Sequence, residues 1–581
     1  MQAETKTCQN CKEDFTIDPD DFGFYEKMKV PPPTFCSACR LQRRMAVRNE
    51  RNFYKRKCEL CGKQVISMYA EGSHFPIYCS QCWWGDKWDP ASFGKEYDFS
   101  KPFFAQFQEL LNVIPRPNLR NTNTKNSDYC NYVADGKNCY LCFGSIEVED
   151  CMYGCPYESK FCVDTYLARE SEYCYECIDC EKLSRCSFCQ ECTASYELLH
   201  CYDCKNCHDC IGCAGLRNKE YHIFNQAYSK DDFQKEKEKF LAKGYEGLLY
   251  IQKKFEKVKA ETPHRFATTI QCKDVSGDHI VESKNTKNCF DVKEAEDTRY
   301  SVRLIHAKDV YDSNYCEYLE MCYDYLGFWK VQRSMFSNTC GEGSDLTYCD
   351  FCSGSSNLFG CIALRGKQYC IFNKQYSKEE YNSLLPKIIK QMNDMPYKDK
   401  NGRMYKYGEY FPVELSPFCY NESVAAEFFP LSKEEAVARG YSWKEKDDRN
   451  YAIDIKSSDI PSRIEDADDS IVGKVVECEH HDIGEHPAKC GAGCTEAFKI
   501  IPEELAFYRR MNLPLPHLCP NCRHYERLAK RNPFKLWHRQ CMCGEGSHGH
   551  DGRCKKEFET SYAPERPEMV YCEECYQKEV Y

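Results

Sequence analysis

Through the middle of the chain, small apolar positions recur at a period that helical repeats cannot use. Cys139, Cys151, Cys162, Cys174 and Cys186 follow one another every 11 or 12 residues, each in a short stretch such as Lys-Asn-Cys-Tyr or Glu-Asp-Cys-Met. The spacing suits a β-solenoid, in which each short strand turns one side chain inward and stacked coils align equivalent residues. Neighbouring Tyr, Val and Thr residues favour strands. The pattern occurs twice, because an offset of 148 sets residues 212–225 on 360–373. Both copies then read Tyr-Ser-Lys and enter a charged, helix-like stretch, where Ser229 and Ser377 are placed to cap the helix and acidic residues fill its first turn. The reading is a solenoid-like repeat at 125–228, a helical segment at 229–262, a second repeat at 268–376 and a helical segment at 377–396. A mixed segment and linker follows at 397–477, of which 444–475 carries many charges and few apolar positions and is expected to be solvated.

The two ends repeat each other. A gapless offset of 483 places 13 of the 30 residues between 11 and 40 on identical residues between 494 and 523, among them Phe24, Tyr25, Cys36, Cys39 and Arg40 on Phe507, Tyr508, Cys519, Cys522 and Arg523. The offset also sets Cys58 on Cys541. Beyond a ten-residue insertion, Cys61, Cys79 and Cys82 fall on Cys554, Cys572 and Cys575. Four small modules follow from this: 1–57 and 478–540, each with a basic helix, and 58–99 and 541–581. Cys8-x2-Cys11 with Cys36-x2-Cys39, and Cys58-x2-Cys61 with Cys79-x2-Cys82, are paired knuckles 17 to 24 residues apart. Two thiolates on one tight turn reach a single ion, and a second knuckle closes a tetrahedral zinc shell. At the other end the expected ligands are Cys490, Cys494, Cys519 and Cys522, then Cys541, Cys554, Cys572 and Cys575, making about four zinc ions in all. Cys543, His548 and His550 lie in the insertion and compete for the fourth ion. Cys478, His480, His481 and His486 fit no knuckle pair and stay unassigned.

Residues 8–40 and 490–523, with a Phe-Tyr pair ahead of a proline-containing stretch and a closing Cys-x2-Cys-Arg, resemble a small bacterial zinc-ribbon family. The whole layout is similar to uncharacterised bacterial multi-zinc-ribbon proteins. The resemblance implies small mixed-β ribbons with a short helix, and structural metal.

Composition narrows the setting. The chain has 581 residues, 45 cysteines and a net charge of −11. Mean hydropathy is −0.69. No run of about 18 apolar residues is present, so no membrane span is expected. The residues before Cys8 hold no apolar targeting segment, which points to the cytoplasm and to reduced thiols. Cysteines such as Cys174, Cys186 and Cys213 are then small buried apolar residues, with an iron–sulfur site in 174–213 as the less favoured alternative. Against the acidic whole, residues 40–57 carry +7 and 523–539 carry +5. Arg40, Arg44 and Arg48, and Arg523, Arg527 and Arg531, share one helical face at i, i+4, i+8. Such a face can lie along phosphates, with Phe53, Tyr54, Phe534 and Trp537 stacking on bases. Its alternative is internal pairing with the acidic repeats. No P-loop, Gly-x-Ser-x-Gly or His-Glu-x-x-His signature is present, and Gly544-x-Gly546-x-x-Gly549 lacks a preceding strand. The leading expectation is a zinc-binding, non-enzymatic nucleic-acid protein with RNA as the favoured partner. The alternatives are a protein-interaction scaffold with structural zinc, and a metal- or cluster-dependent enzyme.

Overall fold

The computed structural model describes residues 2–445, 451–480 and 493–580. Its framework is a pair of nine-stranded sheets in which successive strands lie side by side. In both, neighbouring chain segments pair in parallel at an offset of 12 residues: Leu198 lies on Cys210, Cys210 on His222, Val292 on Leu304 and Leu358 on Cys370. Isolated bridges continue the same offset on other sides, running from Ile178 to Gln190, Tyr202 and Ala214. Neither sheet closes on itself. Each ends in an antiparallel pair, His222 on Ala227 in the first and Cys370 on Gln375 in the second, which reproduces the 148-residue offset.

Four-sided winding on so short a period demands sharp corners. Throughout these regions roughly every third residue sits in the left-handed region, as at Asp164, Glu176, Asp179, Asp312 and Asp324, whose φ values lie between 47° and 54°. Aspartate and asparagine tolerate that conformation better than most residues. Between corners, one side chain per short strand points inward. In the first sheet these are mostly thiols, from Cys130 and Cys139 to Cys213. In the second the same line is filled by Val292, Leu304, Ala307, Val310 and Leu319 among fewer cysteines. Carbon therefore does there what sulfur does in the first copy.

The thiols are satisfied locally. Cys186 reaches the carbonyls of Ser184 and Ser195 at 3.3 and 3.7 Å, and Cys189 those of Ser187 and Leu198 at 3.4 and 3.8 Å. No three sulfurs within 174–213 lie within 4.8 Å of one another. Packing thus accounts for this ladder. Converting Cys186 and Cys189 together to valine should cost about 1–3 kcal/mol through overpacking, read in thermal melts, and leave metal content unchanged.

Ser229 and Ser377 cap the helices that follow, accepting from the backbone N–H of Asp232 and Glu380 at 3.2 and 3.1 Å. The first helical segment is two helices, Lys230–Leu241 and Tyr245–Glu261. Gly244 separates them at φ 56°, where a Cβ would lie 2.1 Å from the Ser462 carbonyl oxygen. The stretch 451–475 is less solvated than its charges predict: Ile460, Ile464, Ala467 and Ile471 are buried in a cluster with Leu505 and Phe507. Among the described residues no helix is long and apolar enough to cross a membrane.

Candidate metal centres

All four end modules share one local construction. A short antiparallel pair carries the first cysteine at its turn, and the third cysteine opens a short helix. In the first module the strands Glu4–Thr7 and Asp14–Ile17 flank Cys8 and Cys11, and Cys36 precedes the helix Ser37–Met45. In the second, Tyr54–Lys57 and Gln64–Ser67 flank Cys58 and Cys61, and Cys79 precedes Ser80–Trp84. The sulfur of the first cysteine accepts the backbone N–H of the third in every case: Cys8 from Cys36, Cys58 from Cys79, Cys478 from Cys519 and Cys541 from Cys572, at 3.2–3.3 Å. Helix N-termini and inward-pointing N–H groups favour thiolate over thiol. At Cys58, burial opposes ionisation, yet the backbone N–H groups of Cys79, Cys61 and Leu60 outweigh it and draw the thiol down to about 7.

These constructions gather four sulfur sets: Cys8, Cys11, Cys36 and Cys39; Cys58, Cys61, Cys79 and Cys82; Cys478, Cys494, Cys519 and Cys522; and Cys541, Cys554, Cys572 and Cys575. In each, the four sulfurs lie within 4.8 Å of one another. An ion bonded to four thiolates at about 2.3 Å needs tetrahedral edges of about 3.8 Å. Cys11 to Cys36, Cys61 to Cys79 and Cys478 to Cys522 measure 3.7, 3.9 and 3.8 Å. The sets therefore fit a closed tetrahedral metal without rearrangement.

The third set differs from the expected one. Cys490, like His481 and His486, lies outside the described residues, and the sulfur that joins Cys494, Cys519 and Cys522 is that of Cys478. Its N–H bonds to the Glu496 carbonyl at 2.9 Å as that of Cys8 bonds to Glu13 at 2.9 Å. The sequence signal was available, since Cys478 follows the strand Val476–Glu477 as Cys8 follows Glu4–Thr7. A long insertion inside the knuckle hid it.

The arginine faces are corrected more thoroughly. Expected as displayed phosphate ligands, they are buried and paired with carboxylates of the sheets. Arg40 meets Asp312 at 2.9 Å. Arg44, with no exposed surface, meets Asp324 at 2.6 Å and Asp312 at 3.4 Å. Arg48 pairs with Glu50 at 2.6 Å and lies 3.7 Å over the Tyr132 ring. At the other end Arg523 meets Asp164 at 2.9 Å, and Arg527, also fully buried, meets Asp164 and Glu176 at 3.0 and 2.7 Å. Arg531 bridges the sheets, with Asp179 at 2.7 Å and Asp291 at 2.6 Å. The geometry is the same twice: Arg44 and Arg527 each span two carboxylates 12 residues apart, one register step of the sheet. The first module reads the second sheet and the third module reads the first.

The aromatic pair travels with the arginines. Phe24 stacks on Tyr311 at 3.8 Å, and Tyr508 meets Tyr175 edge-on at 5.5 Å. Phe53 packs on Phe143, and Phe534 on Phe290 and Phe428, so these two rings face inward instead of offering stacking platforms.

Where Arg531 joins the sheets, His279 lies 3.7 Å from Asp278 and 3.8 Å from Asp291. Burial opposes its charge, but Asp278, Asp179, Glu191 and Asp291 outweigh it and hold its pKa at about 9. Burial also pushes Glu191 up to about 7. A folded-state pKa above the ordinary 6.5 makes protonated His279 stabilising below that pH, and the gain is lost as pH rises to about 9. Glu191 acts in the same direction at lower pH. Melting temperature should therefore fall between pH 6.5 and 9, and His279→Gln should flatten that limb.

No protein-family model and no curated protein matches the chain. Among solved structures, one described as an acetyltransferase from Desulfovibrio desulfuricans G20 aligns over 49% of this chain and 86% of its own, at 10% identity and a TM-score of 0.11. So slight a likeness carries neither a fold nor an activity.

Proposed function

We propose that the chain is a non-enzymatic protein-interaction scaffold stapled by zinc, in which ribbons at both ends lock basic helices onto two β-solenoid repeats. The observation that carries this reading is the burial of both arginine faces against carboxylates one register step apart. Guanidinium groups so enclosed cannot reach a phosphate backbone without dismantling the docking they provide, so the nucleic-acid reading loses the residues on which it rested. Zinc suits the four sulfur sets because all-thiolate tetrahedral shells close the ion off from substrate and make it structural.

The surface best placed to receive a partner is a cleft of about 700 Å³ between the first repeat and the helix Pro502–Met511. Tyr129, Tyr140, Phe161, Tyr173, Phe507 and Arg510 line it. Phe161 stacks on Tyr173 at 4.7 Å, and Arg510 donates to the Tyr173 hydroxyl at 2.8 Å. Rigid aromatic rings and an arginine are the side chains that anchor protein interfaces.

Purified protein should carry zinc at all four sets and no excess absorbance at 260 nm. RNA binding at near-physiological salt should be weak and should not respond to Arg40→Lys or Arg523→Lys. Iron in place of zinc contradicts the stapled scaffold. So does tight RNA binding that these conservative changes weaken in a folded chain.

A further inference from the structure

The fourth ribbon holds more ligands than one ion can use. Cys541, Cys554, Cys572 and Cys575 form its sulfur set, yet Cys575 also lies with Cys543 and His548 in a second group whose ligand atoms are all within 4.8 Å of one another. Cys543 is fully buried. Its sulfur is 3.2 Å from Nδ1 of His548, and the Cys575 sulfur is 3.4 Å from Nε2 of His550. In a tetrahedral shell with zinc–sulfur bonds of about 2.3 Å and zinc–nitrogen bonds of about 2.0 Å, a sulfur–nitrogen edge is about 3.5 Å.

Both histidines are held as ligands are held. Nδ1 of His550 lies 2.8 Å from the Gly552 carbonyl, which can only accept, so that nitrogen carries the proton and Nε2 offers its lone pair towards Cys575. On His548 it is Nε2 that faces a carboxylate, Glu579 at 3.6 Å, which leaves Nδ1 for Cys543. The Lys578 ammonium donates to the His548 carbonyl at 2.5 Å and ties the insertion to the helix that carries Cys575.

We infer that the fourth ribbon is a two-zinc centre in which the Cys575 thiolate bridges the all-sulfur site to a second site completed by Cys543, His548 and His550. Seven side chains with one shared supply eight ligand positions, two closed tetrahedra with none left over. Charge also favours sharing. One zinc with four thiolates carries 2 − 4 = −2, whereas two zincs with five thiolates and two neutral imidazoles carry 4 − 5 = −1. The ten-residue insertion that separates this ribbon from the second one is, on this account, the segment that brings in the second ion.

The inference rests on reading the sulfur set as a zinc site, and native mass spectrometry of the full chain separates the two. Wild type should hold five zinc ions, Cys543→Ser with His548→Gln four, and Cys575→Ser three. Wild type at four with no loss in the double variant overturns the second site and leaves the sulfur set standing. No loss in Cys541→Ser removes the sulfur set itself, and the bridge with it. Cadmium-113 NMR of the exchanged wild-type chain needs no variant to fold. It should give five signals, one displaced from the all-thiolate group by its two nitrogens, whereas all-thiolate signals alone would overturn the second site.

Discussion

Arg44→Ala should destabilise the chain by roughly 3–5 kcal/mol, among the largest effects open to a single substitution, because it strands Asp312 and Asp324 as buried charges without a partner. Both carboxylates are essentially unexposed, and Arg44 also donates through Nε to Asn314 at 2.6 Å. Arg527→Ala should do the same to Asp164 and Glu176 in the first sheet. Burial pushes the Glu176 carboxyl up to about 7 even with Arg527 beside it, so removing the arginine leaves a group that must take up a proton to stay inside. The diagnostic control replaces charge and partner together: Arg44→Met combined with Asp312→Asn and Asp324→Leu should recover most of the loss in denaturant melts, since the penalty lies in the unpaired charge. Equal stability of Arg44→Ala and wild type would mean that the guanidinium is not enclosed as described.

Cys36→Ser should be as severe by another route. It removes one of four thiolates and the residue that opens the helix Ser37–Met45, so the first module should lose its metal and unfold. Structural zinc contributes on the order of 10 kcal/mol of folding free energy in small modules. Here the loss should spread, because the same helix carries Arg40, Arg43 and Arg44 into the second sheet. Metal content should fall by one equivalent, and the denaturation midpoint should drop further than for the Cys186 and Cys189 double variant. That contrast separates a thiol that binds metal from one that only fills space.

The sequence was legible where physics is local. Knuckle spacing, the 12-residue period, the serine caps and the duplicated hairpins all depend on neighbours within a few residues, and each has its counterpart in the structure. What depends on a distant partner was not. The arginine face reads as one helical stripe, but whether it meets phosphate or carboxylate is decided by the surface opposite. Asp312 and Asp324, or Asp164 and Glu176, share the period of the ladder, and that coincidence was the available clue. Phe24 and Tyr25 recur as Phe507 and Tyr508 for the same reason, since they pack where the arginines dock. Cys478 escaped because alignment by offset sets Gly491 against Cys8 and makes Cys490 the nearest thiol, whereas the chain loops out and returns to the older position.

The central claim is that metal at the ends holds two arginine helices inside the molecule. Amide hydrogen exchange of the helices Ser37–Met45 and Pro520–Ala529, with and without a strong chelator, tests it most directly. The account predicts slow exchange in both helices when metal is bound and loss of that protection on chelation, while the ladder at 174–213 stays protected. Free exchange in the metal-loaded protein, or protection indifferent to chelation, would contradict it.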